Sequence, residues 1–171
     1  MLGAARQMGG RSLKFIVFSD NHGKLGGMER VIRSHPECAV YIHLGDSEGT
    51  LQTLRQNHPQ LQFWAVRGNC DFGSEEPAEQ TRQVEGHTLF FTHGHHYGAK
   101  FSTDHLWDKA RQLGADVVLF GHSHTPCQEY REGIYLLNPG SITHPKEGPP
   151  TYGVLDVRES GVLFSVAEVR G

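Results

Sequence analysis

Short apolar runs alternate with amphipathic segments in the first half of the chain. The apolar runs predict three strands, at residues 14–19, 40–44 and 61–66. The amphipathic segments between them predict two helices, at residues 25–34 and 48–56. His35-Pro36 and His58-Pro59 end these helices, because proline disfavours helical backbone at the residue before it. This β-α-β-α-β order predicts a parallel sheet with right-handed crossovers.

The second half of the chain is richer in short strands and glycine turns. Residues 81–85 and 87–92 flank Gly86 and predict a hairpin, followed by a helix at 101–113 and a strand at 116–120. Four further strands are predicted, at residues 127–131, 134–137, 152–156 and 162–169. With no internal repeat, the pattern predicts a single α/β domain at residues 13–171, with two packed, mixed sheets and helices outside. Residues 1–12 are predicted to be a disordered extension, with Met8 as an alternative start.

Composition narrows the class of protein. The chain has 171 residues, a net charge of -3 and three cysteines without a CxxC pair. That cysteine content argues against a disulfide framework or a zinc ribbon and favours a reducing cytoplasm. No apolar run is long enough to span a bilayer, so no membrane association is expected. The charge balance argues against a nucleic-acid-binding surface, which is usually strongly basic.

Histidine is the compositional anomaly, with 12 residues in the chain. Many of these histidines, together with aspartate and asparagine, directly follow the predicted strands. The five strand ends read Ser19-Asp20-Asn21-His22, Gly45-Asp46, Gly68-Asn69-Cys70-Asp71, His93-Gly94-His95 and Gly121-His122-Ser123-His124. In open α/β sheets, ligands bind in the crevice beyond the carboxyl ends of the strands, so one crevice would collect these side chains.

Carboxylate, amide and imidazole ligands together suit divalent transition metals such as Mn, Fe or Zn. Taken singly, Asp46 could cap the following helix and Asn69 could be a turn residue. Five such coincidences at five strand ends favour metal binding instead. Seven candidates are too many for one ion and sufficient for two, and they are Asp20, His22, Asp46, Asn69, His93, His122 and His124.

These ordered motifs resemble those of the calcineurin-like metallophosphoesterases. The run Gly68-Asn69-Cys70-Asp71, the short length and Asn138-Pro139-Gly140-Ser141 are similar to the small bacterial and archaeal YfcE/YsnB-type phosphodiesterase branch. The resemblance implies a four-layer αββα sandwich with a dinuclear centre. It also implies that Asp20, His22 and His124 hold one ion, that Asn69, His93 and His122 hold the other, and that Asp46 bridges both.

The same resemblance implies the chemistry. Two divalent ions, Mn by preference with Ni, Fe, Zn or Mg as alternatives, would share a hydroxide that attacks the phosphorus of a small phosphate ester in line. Most family members have a histidine after the asparagine, and it protonates the leaving group. This chain has Cys70 there, so Cys70 and His95 are the two candidates for that role. Asn138 to Ser141 are expected to close the crevice with backbone groups, and a homo-oligomer is possible.

Two other functions compete with the phosphodiesterase. Gly45-Asp46-Ser47-Glu48-Gly49 matches the nucleophile elbow of serine esterases, with Asp71 or Asp116 and His122 as partners. That hypothesis leaves His22, His93 and His124 unexplained. The fold that the resemblance implies also occurs in a retromer scaffold subunit, so a metal-binding scaffold with little or no catalysis is the stronger alternative.

Overall fold

The computed structural model describes residues 11–170 as ten strands, three α-helices and one short 3-10 helix. The strands are β1 (Leu13–Phe18), β2 (Val40–His43), β3 (Gln62–Ala65), β4 (Glu79–Val84), β5 (His87–Thr92), β6 (Val117–Leu119), β7 (Cys127–Arg131), β8 (Ile134–Asn138), β9 (Thr151–Arg158) and β10 (Gly161–Glu168). The helices are α1 (Gly26–Ser34), α2 (Thr50–Asn57) and α3 (Asp104–Leu113), with the 3-10 helix at His95–Tyr97. Apart from residues 11 and 12, the predicted N-terminal extension lies outside the described residues, as does the alternative start at Met8.

The strands form two mixed five-stranded sheets. The first sheet has the order β10-β9-β1-β2-β3, and the second has the order β4-β5-β6-β8-β7. In the first sheet β1, β2 and β3 are parallel, and in the second β5, β6 and β8 are parallel. The remaining strands add antiparallel neighbours at the edges. The α/β class with two mixed sheets, as predicted, is confirmed.

Period-two burial in the strands explains the layers. On β1, Phe15 and Val17 face the second sheet, while Ile16 and Phe18 face α1 and α2. The outer face of the second sheet packs against α3 through Leu106. Both faces of each sheet are apolar. One face packs against the other sheet and the opposite face packs against helices, which gives the four layers αββα.

Two element boundaries differ from the sequence prediction in ways that matter. The hairpin between β4 and β5 turns at both Glu85 and Gly86, with φ of 47° and 81°, so the two-residue turn includes the glutamate. Helix α3 begins at Asp104 and not at residue 101. Residues 101–103 therefore form a turn ahead of the helix, and Phe101 is 93% exposed.

Within residues 11–170, no helix is both long enough and apolar enough to cross a membrane.

Candidate metal centre

The seven predicted ligands all lie in loops at one end of the two sheets. These loops follow β1, β2 and β3 in the first sheet, and β5 and β6 in the second. Their ends meet because the parallel strands of each sheet run in the same direction and the sheets pack face to face. The structure brings together all seven side chains, which are Asp20, His22, Asp46, Asn69, His93, His122 and His124.

Asp20 is fully buried and half of its carboxylate has no hydrogen-bond partner. Its Oδ2 atom accepts hydrogen bonds from the Ser19 hydroxyl at 2.5 Å and the His122 backbone N–H at 3.0 Å. Its Oδ1 atom is buried and accepts none. Three imidazole Nε2 atoms surround Oδ1, those of His124 at 3.3 Å, His93 at 3.7 Å and His22 at 3.8 Å. A buried charged oxygen without a partner is costly, so this arrangement calls for a cation among the four groups.

Asp46 lies between two groups of imidazoles. Its Oδ2 atom is 3.2 Å from Nε2 of His93 and 3.9 Å from Nε2 of His22. Its Oδ1 atom accepts a hydrogen bond of 2.8 Å from the backbone N–H of Cys70. Burial opposes ionisation of this carboxyl, but the contacts with His93 outweigh it and hold the pKa of Asp46 well below its usual range. The ionised carboxylate of Asp46 therefore directs Oδ2 at both His93 and His22.

Hydrogen bonds orient the histidines toward the cluster. His93 and His124 each use Nδ1 to bond a backbone carbonyl at 2.7 Å, that of Leu44 and that of His144 respectively. Nδ1 of His22 is 3.3 Å from a carboxylate oxygen of Glu48. In each ring Nε2 is left on the side of the aspartates, and the Nε2 atoms of His22 and His124 lie 3.2 Å apart. Metal-ligating histidines typically have this arrangement, in which an outer partner fixes the ring and the tautomer.

The donor atoms of the candidate ligands fall into two main sets, which are connected by a third group of His22, Asp46 and Cys70. Asp20, His22 and His124 form one set, and Asp46, His93 and His122 form the other, with ligand atoms within 4.8 Å of one another in each. The Asn69 carbonyl oxygen is 3.1 Å from Nε2 of His93, which places it beside the second set. Burial and the charges of His93 and Lys100 lower the pKa of His122 to about 4, so this imidazole is neutral and free to act as a ligand. Mixed nitrogen and oxygen donors of this kind fit divalent transition metals.

Backbone strain is concentrated at the same positions. Among the described residues, eight other than glycine have a positive φ, a region that side chains with a Cβ rarely adopt. Five of these eight are candidate ligands, namely Asp20, His22, Asp46, His122 and His124. Strain of this kind costs on the order of 1–3 kcal/mol per residue and persists where surrounding structure enforces it. Its concentration here indicates a site shaped by function.

Asp71 positions two loops of the candidate metal centre, a role that was not predicted from its place in the sequence. Its Oδ2 atom accepts the backbone N–H groups of Asp46 and Gly68, each at 2.7 Å, and its Oδ1 atom accepts that of Glu48 at 2.8 Å. One carboxylate thereby fastens the loop after β2 to the loop after β3. The available signal was its place in the turn that carries Asn69, because aspartate in such turns often bonds nearby backbone N–H groups.

His43 belongs to the framework although it lies close to the cluster. It is fully buried in β2, accepts the Gly45 N–H at Nδ1 and donates from Nε2 to Asn21 at 2.9 Å. Burial lowers the pKa of His43 to about 4, so the ring stays neutral. Both nitrogens are occupied, which excludes it as a ligand. Its position inside a strand, rather than after one, distinguishes it from the candidates.

The segment Asn138–Ser141 braces the loops through side chains, which differs from the predicted closure by backbone groups. Asn138 donates to the Gly121 carbonyl at 3.2 Å and to the Ser123 hydroxyl at 3.0 Å, and the Ser141 hydroxyl donates to the Asp20 carbonyl at 2.9 Å. Gly121 is required here because a Cβ at that position would collide with the Ser19 hydroxyl. The strands therefore place the ligands, and this segment fixes their loops.

The two candidate proton donors lie on different sides of the cluster. Cys70 groups with His22 and Asp46, whereas His95 lies beside His93 with ring centroids 5.3 Å apart. Burial and the charges of Asp46 and its acidic neighbours raise the pKa of Cys70 to about 11, so the thiol keeps its proton at neutral pH. Burial and the charge of His93 lower the pKa of His95.

The arrangement required by a serine esterase is not assembled. Both carboxylate oxygens of Asp71 accept hydrogen bonds from backbone N–H groups. Asp116 forms a hydrogen bond with His87 at the opposite end of the sheets. Asp46, and not Ser47, has the strained positive φ in the glycine-rich turn. Because neither candidate acid partners His122 in the described residues, the nucleophile-elbow hypothesis is not supported.

Comparison with known proteins identifies the class. Residues 13–160 match the calcineurin-like phosphoesterase superfamily domain, and the chain belongs to this family of metallophosphoesterases. It is 36% identical over 136 residues to the probable metallophosphoesterase YsnB of Bacillus subtilis, covering 78% of each chain. It is 32% identical over 169 residues to the phosphodiesterase YfcE of Escherichia coli K12, covering 84% of this chain and 88% of YfcE. The predicted family and its small bacterial branch are confirmed.

Solved structures share the fold. A predicted phosphoesterase from Streptococcus pneumoniae superimposes with a TM-score of 0.80 at 27% identity, covering 94% of each chain. Vacuolar protein sorting 29 from Cryptosporidium parvum superimposes with a TM-score of 0.78 at 17% identity, covering 93% of this chain and 92% of the other. At that identity the second likeness concerns the fold alone.

Proposed function

We propose that this protein is a metal-dependent phosphodiesterase that uses two divalent cations. The observation that carries the proposal is the buried Asp20 Oδ1 atom, which has no hydrogen-bond partner and faces three imidazole Nε2 atoms at 3.3–3.8 Å. Among the described residues no hydrogen bond reaches that oxygen, whereas a cation held between it and the imidazoles would coordinate it. The family membership and the phosphodiesterase name of a relative support hydrolysis of a phosphate ester.

The donor sets support a division of labour among the residues. Asp20, His22 and His124 would hold one cation, and Asn69, His93 and His122 would hold the other. Asp46 would contact both, because its Oδ2 atom lies between His93 and His22 at 3.2 Å and 3.9 Å. The mixture of imidazole and hard oxygen donors favours Mn, with Ni, Fe, Zn or Mg as alternatives.

The chemistry then follows from what each group can do. Divalent cations bound there would supply Lewis acidity, which neutralises charge on a phosphate ester and makes water a stronger nucleophile. The strained loops keep the seven donors in place before the substrate arrives, so little reorganisation accompanies the reaction. Cys70 and His95, on their two sides of the cluster, are the candidates for delivering a proton to the leaving oxygen.

The test is metal removal and replacement. Protein stripped with a chelator should not hydrolyse bis(p-nitrophenyl) phosphate, and Mn, Ni, Zn or Mg should be compared for restoration of activity. Elemental analysis should find two ions per chain in the most active form. p-Nitrophenyl phosphate, assayed in parallel, separates diester from monoester preference. Full activity in the stripped protein would contradict the proposal.

The variant Asp46→Ala should lose metal and activity together, because one change removes a ligand from both donor sets. Asp108→Ala, an exposed position on α3, is the matched control and should retain both. If the wild-type protein binds two ions tightly but hydrolyses neither ester with any metal, the scaffold alternative is favoured, in keeping with the fold shared with vacuolar protein sorting 29.

A further inference from the structure

We propose that the cavity beside His122 and His124 binds one arm of the substrate, and that this arm carries a flat apolar group and a second anionic group. The inference rests on the proposed phosphodiesterase function and adds a substrate class to it. The cavity has a volume of about 710 Å³ and includes both histidines in its wall. An ester held at the metal centre would therefore extend one of its arms directly into it.

The lining of this cavity includes apolar side chains and one exposed aromatic ring. Ala99, Phe120 and Pro126 contribute apolar surface. Phe101, in the turn ahead of α3, also lines the cavity and is 93% exposed. A phenylalanine so exposed has no packing role in the fold. Its open face suits a planar group such as a nucleobase, since stacking on an aromatic side chain tolerates any base.

The formal charges in the cavity wall are all positive. Lys100 and Lys146 line it, and no acidic side chain does. In the described part of the chain, neither lysine forms an ion pair with a carboxylate. Two unpaired ammonium groups next to a planar apolar surface are complementary to a phosphate attached to a nucleoside.

The opposite side of the metal centre has the reverse charge. There a cavity of about 600 Å³ is lined by Cys70 and by four acidic residues, without lysine or arginine. Glu48 and Glu75 are exposed, and the Glu48 carboxylate also approaches Nδ1 of His22 at 3.3 Å. Asp71 and Glu76 are engaged with backbone N–H groups and Arg55. An arm with an extra negative charge is repelled here and attracted on the lysine side. The charge difference therefore fixes which arm of a diester lies on which side.

The experiment compares two esters that differ by one phosphate. The p-nitrophenyl ester of thymidine 5′-monophosphate and its 3′-phosphorylated counterpart release the same p-nitrophenol. In the manganese-loaded protein, the 3′-phosphate should raise kcat/KM about tenfold, and this ratio should fall as salt is added. In the double variant Lys100→Met/Lys146→Met the ratio should drop to about one. Lys14→Met, at the far end of β1, removes a lysine away from the cavity; it is the control and should leave the ratio unchanged.

The aromatic part of the site has its own comparison. Phe101→Ala should lower kcat/KM for the thymidine ester about threefold relative to methyl p-nitrophenyl phosphate, which has no ring in that arm. Because Phe101 is exposed, this variant should unfold at the same temperature as the wild type. A measured ratio that Phe101→Ala leaves unchanged would remove the ring from the proposal.

The outcomes separate the two proposals. Hydrolysis of both thymidine esters at equal rates would overturn the anion-binding cavity and leave the phosphodiesterase intact. A tenfold preference that persists in the double lysine variant would also overturn the cavity assignment. If bis(p-nitrophenyl) phosphate is hydrolysed but neither thymidine ester is, the cavity proposal alone fails. If none of the three diesters is hydrolysed with any metal, the phosphodiesterase fails as well.

Discussion

The two ends of the central strands bring histidines and aspartates together in opposite ways. At the carboxyl ends, imidazoles surround a buried aspartate oxygen that none of them satisfies. At the amino ends, His87 bonds Asp116 at 2.5 Å through Nδ1 and the Arg158 carbonyl at 2.7 Å through Nε2. The second oxygen of Asp116 accepts the Thr88 N–H at 2.8 Å. The carboxyl end therefore contains a buried polar atom without a hydrogen-bond partner, whereas every polar side-chain atom of His87 and Asp116 at the amino end has one.

The amino end has a structural role. His87 is on the second sheet and Arg158 is on the first, so one protonated imidazole connects the two sheets at this end. Burial alone would lower the pKa of His87, but the hydrogen bonds to Asp116 and to the Arg158 carbonyl raise it above the usual value. The backbone at His87, Asp116 and Arg158 has no positive φ. At this end the side-chain hydrogen bonds are therefore satisfied without strain in the backbone.

The difference teaches how to recognise the site without a ligand. Both ends have histidine near carboxylate, so composition alone does not separate them. The carboxyl end is distinguished by a buried oxygen without a partner, by Nε2 atoms that converge on it and by strained backbone at the ligands. Stability would select against each of these features, so together they mark the end that function has shaped.

Among the substitutions that test this contrast, Asp20→Asn should have the largest effect. The substitution keeps the size of the side chain and removes its charge, so affinity for Mn should fall more than about 100-fold and diesterase activity should fall at least as far. The metal-free variant should lose no more stability than a charge-removing change at the amino end, because the amide oxygen can keep the hydrogen bonds from Ser19 and His122. Metal titration and urea unfolding of the metal-free proteins measure both effects.

The matched change at the amino end should behave in the opposite way. Asp116→Asn should lower the free energy of unfolding by about 1 kcal/mol, because it removes a charged partner of His87. Its manganese affinity and activity should stay at the wild-type level. If Asp20→Asn destabilises the metal-free protein more than Asp116→Asn does, the contrast between the two ends is wrong.

Much of this site could be predicted from the sequence because parallel strands dictate where their ends meet. Asp20, Asp46 and His93 are far apart in the chain, yet each directly follows a buried apolar strand. The seven ligand candidates could be found in this way. These side chains converge because the two sheets pack face to face. Strands that are apolar on both faces favour that packing.

Residues that act through backbone geometry could not be predicted in this way. Asp71 is important because three N–H groups point at it, and that depends on the path of two loops. Phe101 gave no signal because residues 101–113 read as one continuous helix. The turn that separates Phe101 from α3 exposes the ring and forms the cavity wall. No periodic pattern of hydrophobic and polar residues indicates a loop conformation of this kind.

Asp71→Asn should have an intermediate effect that acts through position. The amide keeps one acceptor oxygen but loses the other, so at least one of the N–H groups of Asp46, Gly68 and Glu48 loses its partner. Manganese affinity should fall about 10- to 100-fold, the range found for residues that orient metal ligands. Isothermal titration with Mn measures this loss without reference to turnover.

Excess manganese separates positioning from a general loss of fold. At saturating metal, Asp71→Asn should recover much of its kcat, because the ligands themselves remain in place. Asp71→Glu, which keeps the charge at a longer reach, should fall between the wild type and Asp71→Asn in affinity. Unchanged affinity in Asp71→Asn would show that the three backbone hydrogen bonds do not control the metal centre.

The smallest expected effect lies at the amino end and depends on pH. Because the pKa of His87 is raised in the folded state, its contribution is fully present below the ordinary histidine pKa of about 6.5. That contribution is lost as pH rises through the folded pKa. His87→Gln should therefore be less stable than the wild type by about 1 kcal/mol at pH 6, with the gap narrowing toward pH 8.5. Urea unfolding of both metal-free proteins across this range isolates His87, since the site histidines titrate in both. A gap that stays constant or widens with pH would show that the sheets are not joined by a protonated imidazole.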